Sequence, residues 1–125
     1  MKPLIQLFLI AQIALFAFAA SAHFGVFGNR DDPAAGTAET IIAIVLAAGL
    51  VLTVANPAHA RTSALIAQGF ATLGTLVGIT LVLTVGPRET FDVVVHLLML
   101  ALLGTGLIVT YREPRPTSSG PAQSG

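Results

Sequence analysis

The residues of this chain that could do chemistry are four ionisable side chains near the ends of long apolar segments: His23, Glu39, Asp92 and His96. Ionisable groups in membrane-spanning segments are costly to bury, and by default they mark functional sites. Two imidazoles and two carboxylates suit a zinc- or iron-like divalent ion, a proton relay or a hydrogen-bonded quinone headgroup. We expect the four to form one polar layer, and the sequence leaves the identity of any metal open.

The spacing of these residues requires several helices to converge. Asp92 and His96 lie four residues apart, which places them on one face of a helix. His23 and Glu39 come from two other segments, and the set matches no known ligand motif. Arg88 is the candidate supporting residue, because from the loop before Asp92 it could reach a carboxylate of the site.

Each of the four residues also has a purely structural interpretation. Glu39 and Asp92 each lie two residues after a threonine that can cap a helix, and acids are favoured in a first helical turn. His23 lies near a helix C-terminus, where a basic group is favoured. His96 could simply bond to Asp92 or to a carbonyl of a neighbouring helix. These alternatives stay open at the level of the sequence.

The composition indicates that the rest of the chain lies in a membrane. Of 125 residues, 54% are hydrophobic and 10% are charged. Soluble domains carry roughly 25% charged residues, so this chain cannot cover a water-facing surface. Its net charge of zero excludes a polybasic surface for nucleic acid. The absence of cysteine excludes disulfides and thiolate metal sites.

Four continuous apolar segments approach or reach the roughly 20 residues that a membrane-spanning helix needs. We predict helices at about 4–27, 38–55, 62–85 and 90–111, because in lipid only helices or closed barrels satisfy the backbone. The loops between them are short, which favours antiparallel neighbours. The predicted fold is therefore all-α: an integral membrane four-helix bundle of up-down topology over residues 1–113, followed by a disordered cytoplasmic tail at 114–125.

Basic residues predict the orientation of this bundle. One side of the membrane would carry four of them and the other side two. The four are Lys2, Arg61, Arg112 and Arg115, and the two are Arg30 and Arg88. Because cytoplasmic loops are enriched in Lys and Arg, we predict a multi-pass protein of the bacterial inner membrane with both termini in the cytoplasm. The four site residues then lie at the outer leaflet.

The first segment also permits a different interpretation. Ala20-Ser21-Ala22 fits the small-residue pattern of a signal-peptide cleavage site. Cleavage there would leave three helices and a chain beginning at His23. The apolar stretch is longer than a typical signal peptide, which favours a retained helix, but whether residues 1–22 are removed stays open.

Small and amide residues are predicted to hold the helices together, because burial of apolar surface does not drive helix association in lipid. Gly74 and Gly78 form a GxxxG pattern in the third segment, and Gly104 lies in the fourth. They favour a close contact between these two helices, with a homodimer as the alternative. Gln6, Gln12, Gln68 and the threonines are predicted to form interhelical hydrogen bonds.

Several short motifs carry a resemblance that extends over most of the chain. They are Ser21–Gly25, Thr37–Glu39, Gly86–Arg88 and Asp92–His96. Together they resemble a group of uncharacterised small bacterial four-helix integral membrane proteins. In size and layout the chain is also loosely similar to DoxX-like membrane proteins, some of which are linked to quinone or redox systems. It departs from them in lacking a basic residue at the start of the first helix's core motif.

No motif for catalysis is visible in the chain. A nucleophile–base pair, a Gly-rich phosphate loop and a carboxylate dyad at usable spacing are all missing from the sequence. We therefore predict a non-enzymatic protein without a cofactor, an accessory, assembly or orphan subunit whose partners are the lipid bilayer and a membrane protein or a second copy. The alternatives are a redox- or quinone-linked protein that uses the outer polar layer, and a small oligomeric transporter or channel.

Overall fold

The computed structural model describes residues 2–28, 31–115, 117 and 120. Within them the chain forms four helices: α1 (Lys2–His23), α2 (Pro33–Ala55), α3 (Ala60–Thr84) and α4 (Thr90–Arg112). Each helix is long and apolar enough to cross a membrane, so the prediction of an all-α fold with four such helices is confirmed. Arg30 and most of the predicted tail at 114–125 lie outside the described residues.

The junction between α1 and α2 differs most from the predicted boundaries. α1 ends at His23 because the chain turns directly after it, with Gly25 at a φ of 80°, a left-handed conformation that suits glycine after a helix. α2 begins at Pro33, where proline is favoured in the first turn. The Asp32 carboxylate caps this helix by accepting from the Ala35 amide at 3.1 Å.

The position of Thr37 before an apolar run predicted that it caps α2, but it does not. It lies inside the helix, and its hydroxyl donates to the Pro33 carbonyl at 2.6 Å. The helix begins several residues earlier than an apolar run alone indicates, because the proline and the capping aspartate start it in the polar loop. Glu39 consequently lies six residues into α2, about 9 Å from its start.

The four helices pack in a ring. α1 contacts α2, α2 contacts α3, α3 contacts α4, α4 contacts α1, and α1 also contacts α3 across the ring. In the described part of the chain, no Cα atom of α2 lies within 8 Å of a Cα atom of α4. The shared core contains the side chains of Leu9, Phe16, Leu46, Met99 and Leu103. Large apolar side chains cover much of the outer surface. So much exposed apolar surface is compatible with a lipid environment and unusual for a soluble monomer.

Glycines set the closest approaches between helices. A Cβ atom at Gly49 of α2 would lie 2.5 Å from the Cβ of Ala67 of α3, so the α2 backbone at Gly49 packs directly against the Ala67 methyl group. Of the predicted packing residues, Gly74 faces Ile42 of α2 and Gly78 faces His96 of α4. Gly104 has no atom within 4 Å of the position a Cβ would take. The close approach in α4 lies instead at Gly106.

Gly106 makes room for a buried amide pair. The Gln12 amide nitrogen donates to Gln68 Oε1 at 2.9 Å and to the Leu102 carbonyl at 3.3 Å. The Gln68 amide nitrogen donates to the Thr110 hydroxyl at 2.9 Å. Gln12, Gln68 and Thr110 are fully buried. The predicted interhelical bonds of Gln12 and Gln68 are confirmed, and they tie α1, α3 and α4 together.

Candidate functional site

His23 is the centre of a polar cluster that joins three helices. Its Nδ1 lies 2.7 Å from Glu39 Oε2, and its Nε2 lies 3.2 Å from Asp92 Oδ1. The side chains of His23 and Glu39 are buried, and that of Asp92 is 15% exposed. Both contacts are hydrogen bonds when the ring is a doubly protonated imidazolium that donates to both carboxylates. They are also both hydrogen bonds when the ring is neutral, donates to one carboxylate and accepts from the other carboxyl group, which then carries a proton. The structure thus brings three of the four predicted residues into contact.

Local structure fixes the position of each member. His23 is the last residue of α1, and its carbonyl accepts from the Asp32 amide at 2.9 Å, which ties the end of α1 to the cap of α2. Asp92 lies in the first turn of α4, where the helix dipole favours an acid. The same explanation does not apply to Glu39, which lies deeper in its helix, so its burial beside His23 calls for a different reason.

His96, the fourth predicted residue, lies one turn further into α4 and bonds to its own helix. Its Nδ1 lies 2.7 Å from the Asp92 carbonyl oxygen. A carbonyl only accepts, so Nδ1 carries the proton, and in the neutral ring Nε2 is left as an acceptor. That atom lies on the side of Gly78, where an added Cβ would be 2.7 Å away. His96 faces the same space as the cluster without joining its bonds.

Arg88 takes a different position from the one expected of a supporting residue. It is exposed, and its Nε donates to the Leu83 carbonyl at 3.0 Å, near the C-terminus of α3. This bond satisfies a free carbonyl at the helix end. Arg88 is also not among the residues that line the cavity described next.

A cavity of about 700 Å³ opens beside the cluster, where α2 and α4 are separated. All four predicted residues line it. Deeper in the bundle its wall becomes apolar, with Phe16, Ile42 and Met99 at the inner end. Binding sites for small molecules measure about 300–1,000 Å³ and are mostly apolar with a few polar groups. The cavity therefore has the size and lining of a small-molecule site.

Glu39 has a buried carboxylate oxygen without a hydrogen-bond partner among the described residues. Its side chain is only 7% exposed, and one oxygen, Oε2, accepts from His23. The other oxygen, Oε1, is buried and has no hydrogen-bond partner among the described residues. Buried carboxylate oxygens are nearly always paired, because leaving one unpaired costs about 1–3 kcal/mol or more. Glu39 is thus a residue of the cavity lining whose second oxygen is a buried acceptor without a partner among the described residues.

The geometry limits what the site can hold. Among the described residues, no group of three His, Asp or Glu side chains is arranged to hold a metal ion. What the site offers instead is hydrogen-bond acceptors at the polar end of an apolar cavity. It suits a molecule with a donor headgroup and an apolar body.

Sequence reasoning did not find every residue of the site. Asp31, Asp32 and Glu89 also line the cavity, although in the sequence they are ordinary loop residues between apolar segments. Gly78 was predicted as a residue of helix packing, whereas it also leaves room for His96. The available signal was the concentration of acids in the two loops that flank Glu39 and Asp92.

Comparison with known proteins does not assign the chain to a family. No protein-family model matches it, and neither do curated proteins or solved structures.

Proposed function

We propose that this chain is a non-enzymatic, multi-pass membrane protein that binds a small amphipathic molecule in the cavity between α2 and α4. Four apolar helices supply the membrane part. The cavity supplies a site of suitable size, with polar groups at one end and apolar side chains at the other. No part of this proposal requires a bond to be made or broken.

The unpaired Oε1 of Glu39 is the observation that carries the proposal. A bundle that only needed to be stable would replace Glu39 and His23 by apolar side chains, because a buried ion pair is often no better than a packed apolar pair. A buried carboxylate with one free oxygen at a cavity wall is instead what a binding site for a donor group requires.

The proposed membrane arrangement is an up-down bundle in the cell membrane, the bacterial inner membrane, with both termini in the cytoplasm. It follows from the distribution of Lys and Arg, and it places the cavity mouth at the outer leaflet. The chain has no native cysteine, so single cysteines can report it. An impermeant maleimide added to whole cells should label Pro87→Cys and spare Ala58→Cys; the reverse pattern would invert the arrangement.

A role as an accessory or assembly subunit is the second candidate, and it is compatible with ligand binding. Gly69 of α3 and Gly104 of α4 have open space where a Cβ would lie. Small residues of this kind let a second helix approach closely in lipid, so they offer a contact surface for a membrane partner or a second copy. If Gly69→Leu and Gly104→Leu leave every complex isolated in mild detergent intact, this surface is not used.

The proposed binding function is tested by native mass spectrometry of the protein released from its own membranes. We expect a population of full-length protein that carries one small molecule, which organic extraction then recovers and identifies. A membrane protein of similar size, purified in parallel, controls for lipid that adheres unspecifically.

The identity of the bound molecule separates the remaining functions. A quinone would favour the redox-linked role that the DoxX-like resemblance implies. A multimer with ion flux in liposomes would favour a transporter or channel. Bare protein in every preparation, with no specific adduct, would contradict the binding function.

A further inference from the structure

We infer that the ligand of this cavity is an organic cation, an ammonium-type headgroup joined to an apolar body. The inference rests on the proposed binding function and specifies its ligand. It depends on three features of the cavity: the charge of its lining, the hydrogen-bonding character of its inner polar atoms and the apolar nature of its inner end.

The lining of the cavity is strongly acidic. It contains five carboxylates, namely Asp31, Asp32, Glu39, Glu89 and Asp92. Against them stand two histidines, and the described part of the lining includes no lysine or arginine, while Glu89 and Asp92 also make interactions of their own. His23 is shared between two of the carboxylates, so it compensates at most one negative charge. An acidic cleft with low-dielectric walls concentrates cations.

Two residues of the lining, Glu39 and His96, offer hydrogen-bond acceptors. Glu39 Oε1 has no partner among the described residues, and an ionised carboxylate only accepts. His96 Nε2 is an acceptor as well when Nδ1 donates to the Asp92 carbonyl. An ammonium group has donors and no acceptor, so it complements both atoms. A carbonyl, phosphate or carboxylate headgroup offers acceptors to acceptors and would leave Glu39 unpaired.

The inner end of the cavity is apolar. Phe16, Ile42 and Met99 form it together with Gly74 and Thr75. Gly74 lies ten residues before the end of α3, which is about 15 Å of helix. Glu39 and His96 each lie about 9 Å from the start of their helices. A ligand can therefore place its charge among the acids and its apolar body below them.

An organic cation fits these features better than a metal ion does. No group of three ligating side chains among the described residues is arranged for a metal, and a bare ion would leave the apolar end of the cavity unused. The apolar volume favours a cation that brings its own hydrophobic part.

The inference is tested with three probes that have closely similar phenylalkyl bodies: phenylbutylamine, phenylbutanol and phenylbutyrate. At neutral pH they are cationic, neutral and anionic. Binding to the full chain in nanodiscs of phosphatidylcholine is measured by titration calorimetry, with empty nanodiscs subtracted for partition into lipid. We expect the amine to bind about tenfold tighter than the alcohol, which corresponds to one charge-assisted contact, and the butyrate to bind most weakly.

Variants show which carboxylate makes the amine bind more tightly than the alcohol. Glu39→Gln keeps the shape of the side chain and removes its charge, so the amine should lose its advantage while the alcohol binds as before. Asp31→Asn changes an exposed acid of the lining and should weaken the amine by about two- to threefold without affecting the fold. Glu113→Gln, at the opposite end of α4, is the matched charge control and should change nothing.

The outcomes separate the two proposals. If the alcohol and the amine bind saturably with equal affinity and neither Glu39→Gln nor Asp31→Asn distinguishes them, the cationic ligand is wrong and the binding function stands. If butyrate binds most tightly, the sign of the charge is wrong. If no probe binds beyond the empty nanodiscs and the protein also leaves its own membranes bare, both proposals fall.

Discussion

Gly106→Ala is expected to destabilise the bundle by about 2–4 kcal/mol, although it adds a single methyl group. The added Cβ would overlap both Gln68 Oε1 and the Gln12 amide nitrogen. Both side chains are fully buried, and these two atoms are hydrogen-bonded to each other, so neither can move aside without leaving the other unpaired. The methyl group must therefore either push α4 away or break the contact between Gln12 and Gln68.

Gly104→Ala is the matched control for this variant, two residues away on the same helix. No atom lies within 4 Å of its added Cβ, and alanine favours a helix over glycine by up to about 1 kcal/mol. We expect it to be neutral or slightly stabilising. Unfolding of both variants in mixed detergent micelles, followed by circular dichroism, gives the comparison. Equal stability of the two would show that the amide pair is not packed against Gly106.

His23→Ala is the second variant with a large expected effect. We expect it to lower the free energy of unfolding by about 3 kcal/mol. His23 separates and bonds two carboxylates, those of Glu39 and Asp92. Without the ring these largely buried groups lose their shared partner, and like charges are left near one another. The value lies at the lower end for a broken buried pair, because the Asp92 side chain is partly exposed.

Two further variants make this result specific. His59→Ala removes an exposed loop histidine and should leave stability unchanged. Adding Glu39→Gln to His23→Ala should recover part of the loss, because it removes one of the two charges. A His23→Ala protein as stable as the His59→Ala protein, in the same micelle unfolding assay, would contradict the central position of His23.

Much of the fold is predictable because a bilayer imposes strong constraints on sequence. Long apolar runs bounded by Pro, Gly and charged residues located all four helices. The predicted helix boundary that differs most from the structure is the start of α2, because Asp32 and Pro33 begin this helix within a polar loop. A capping aspartate followed by proline is a local signal, and the apolar run that begins at Ala38 obscured it.

The site was predictable in its residues and not in its shape. Rarity of ionisable groups in apolar segments identified His23, Glu39 and Asp92, and the structure brings these three together. The cavity could not be foreseen, because it exists only where α2 and α4 fail to meet. The spacing of residues along a single helix does not indicate whether two helices, such as α2 and α4, leave a gap between them.

Close approaches between helices were only partly predictable for the same reason. The GxxxG pattern drew attention to Gly74 and Gly78, whereas the tightest contacts also involve Gly49 and Gly106. Which glycine faces a neighbouring helix depends on how each helix is rotated about its axis. The sequence alone does not distinguish a small residue that faces lipid from one that faces another helix.

The most direct test of the binding site fills the cavity from one side. Val82 lines the cavity and is only partly exposed, whereas Leu83, the next residue of α3, is not part of the lining. We would measure, by native mass spectrometry of protein released from its own membranes, the fraction that carries a small molecule. We expect wild type and Leu83→Trp to carry the molecule and Val82→Trp, with equal stability, to lack it. Equal loading of all three proteins would place the ligand elsewhere, and the cavity would not be the binding site.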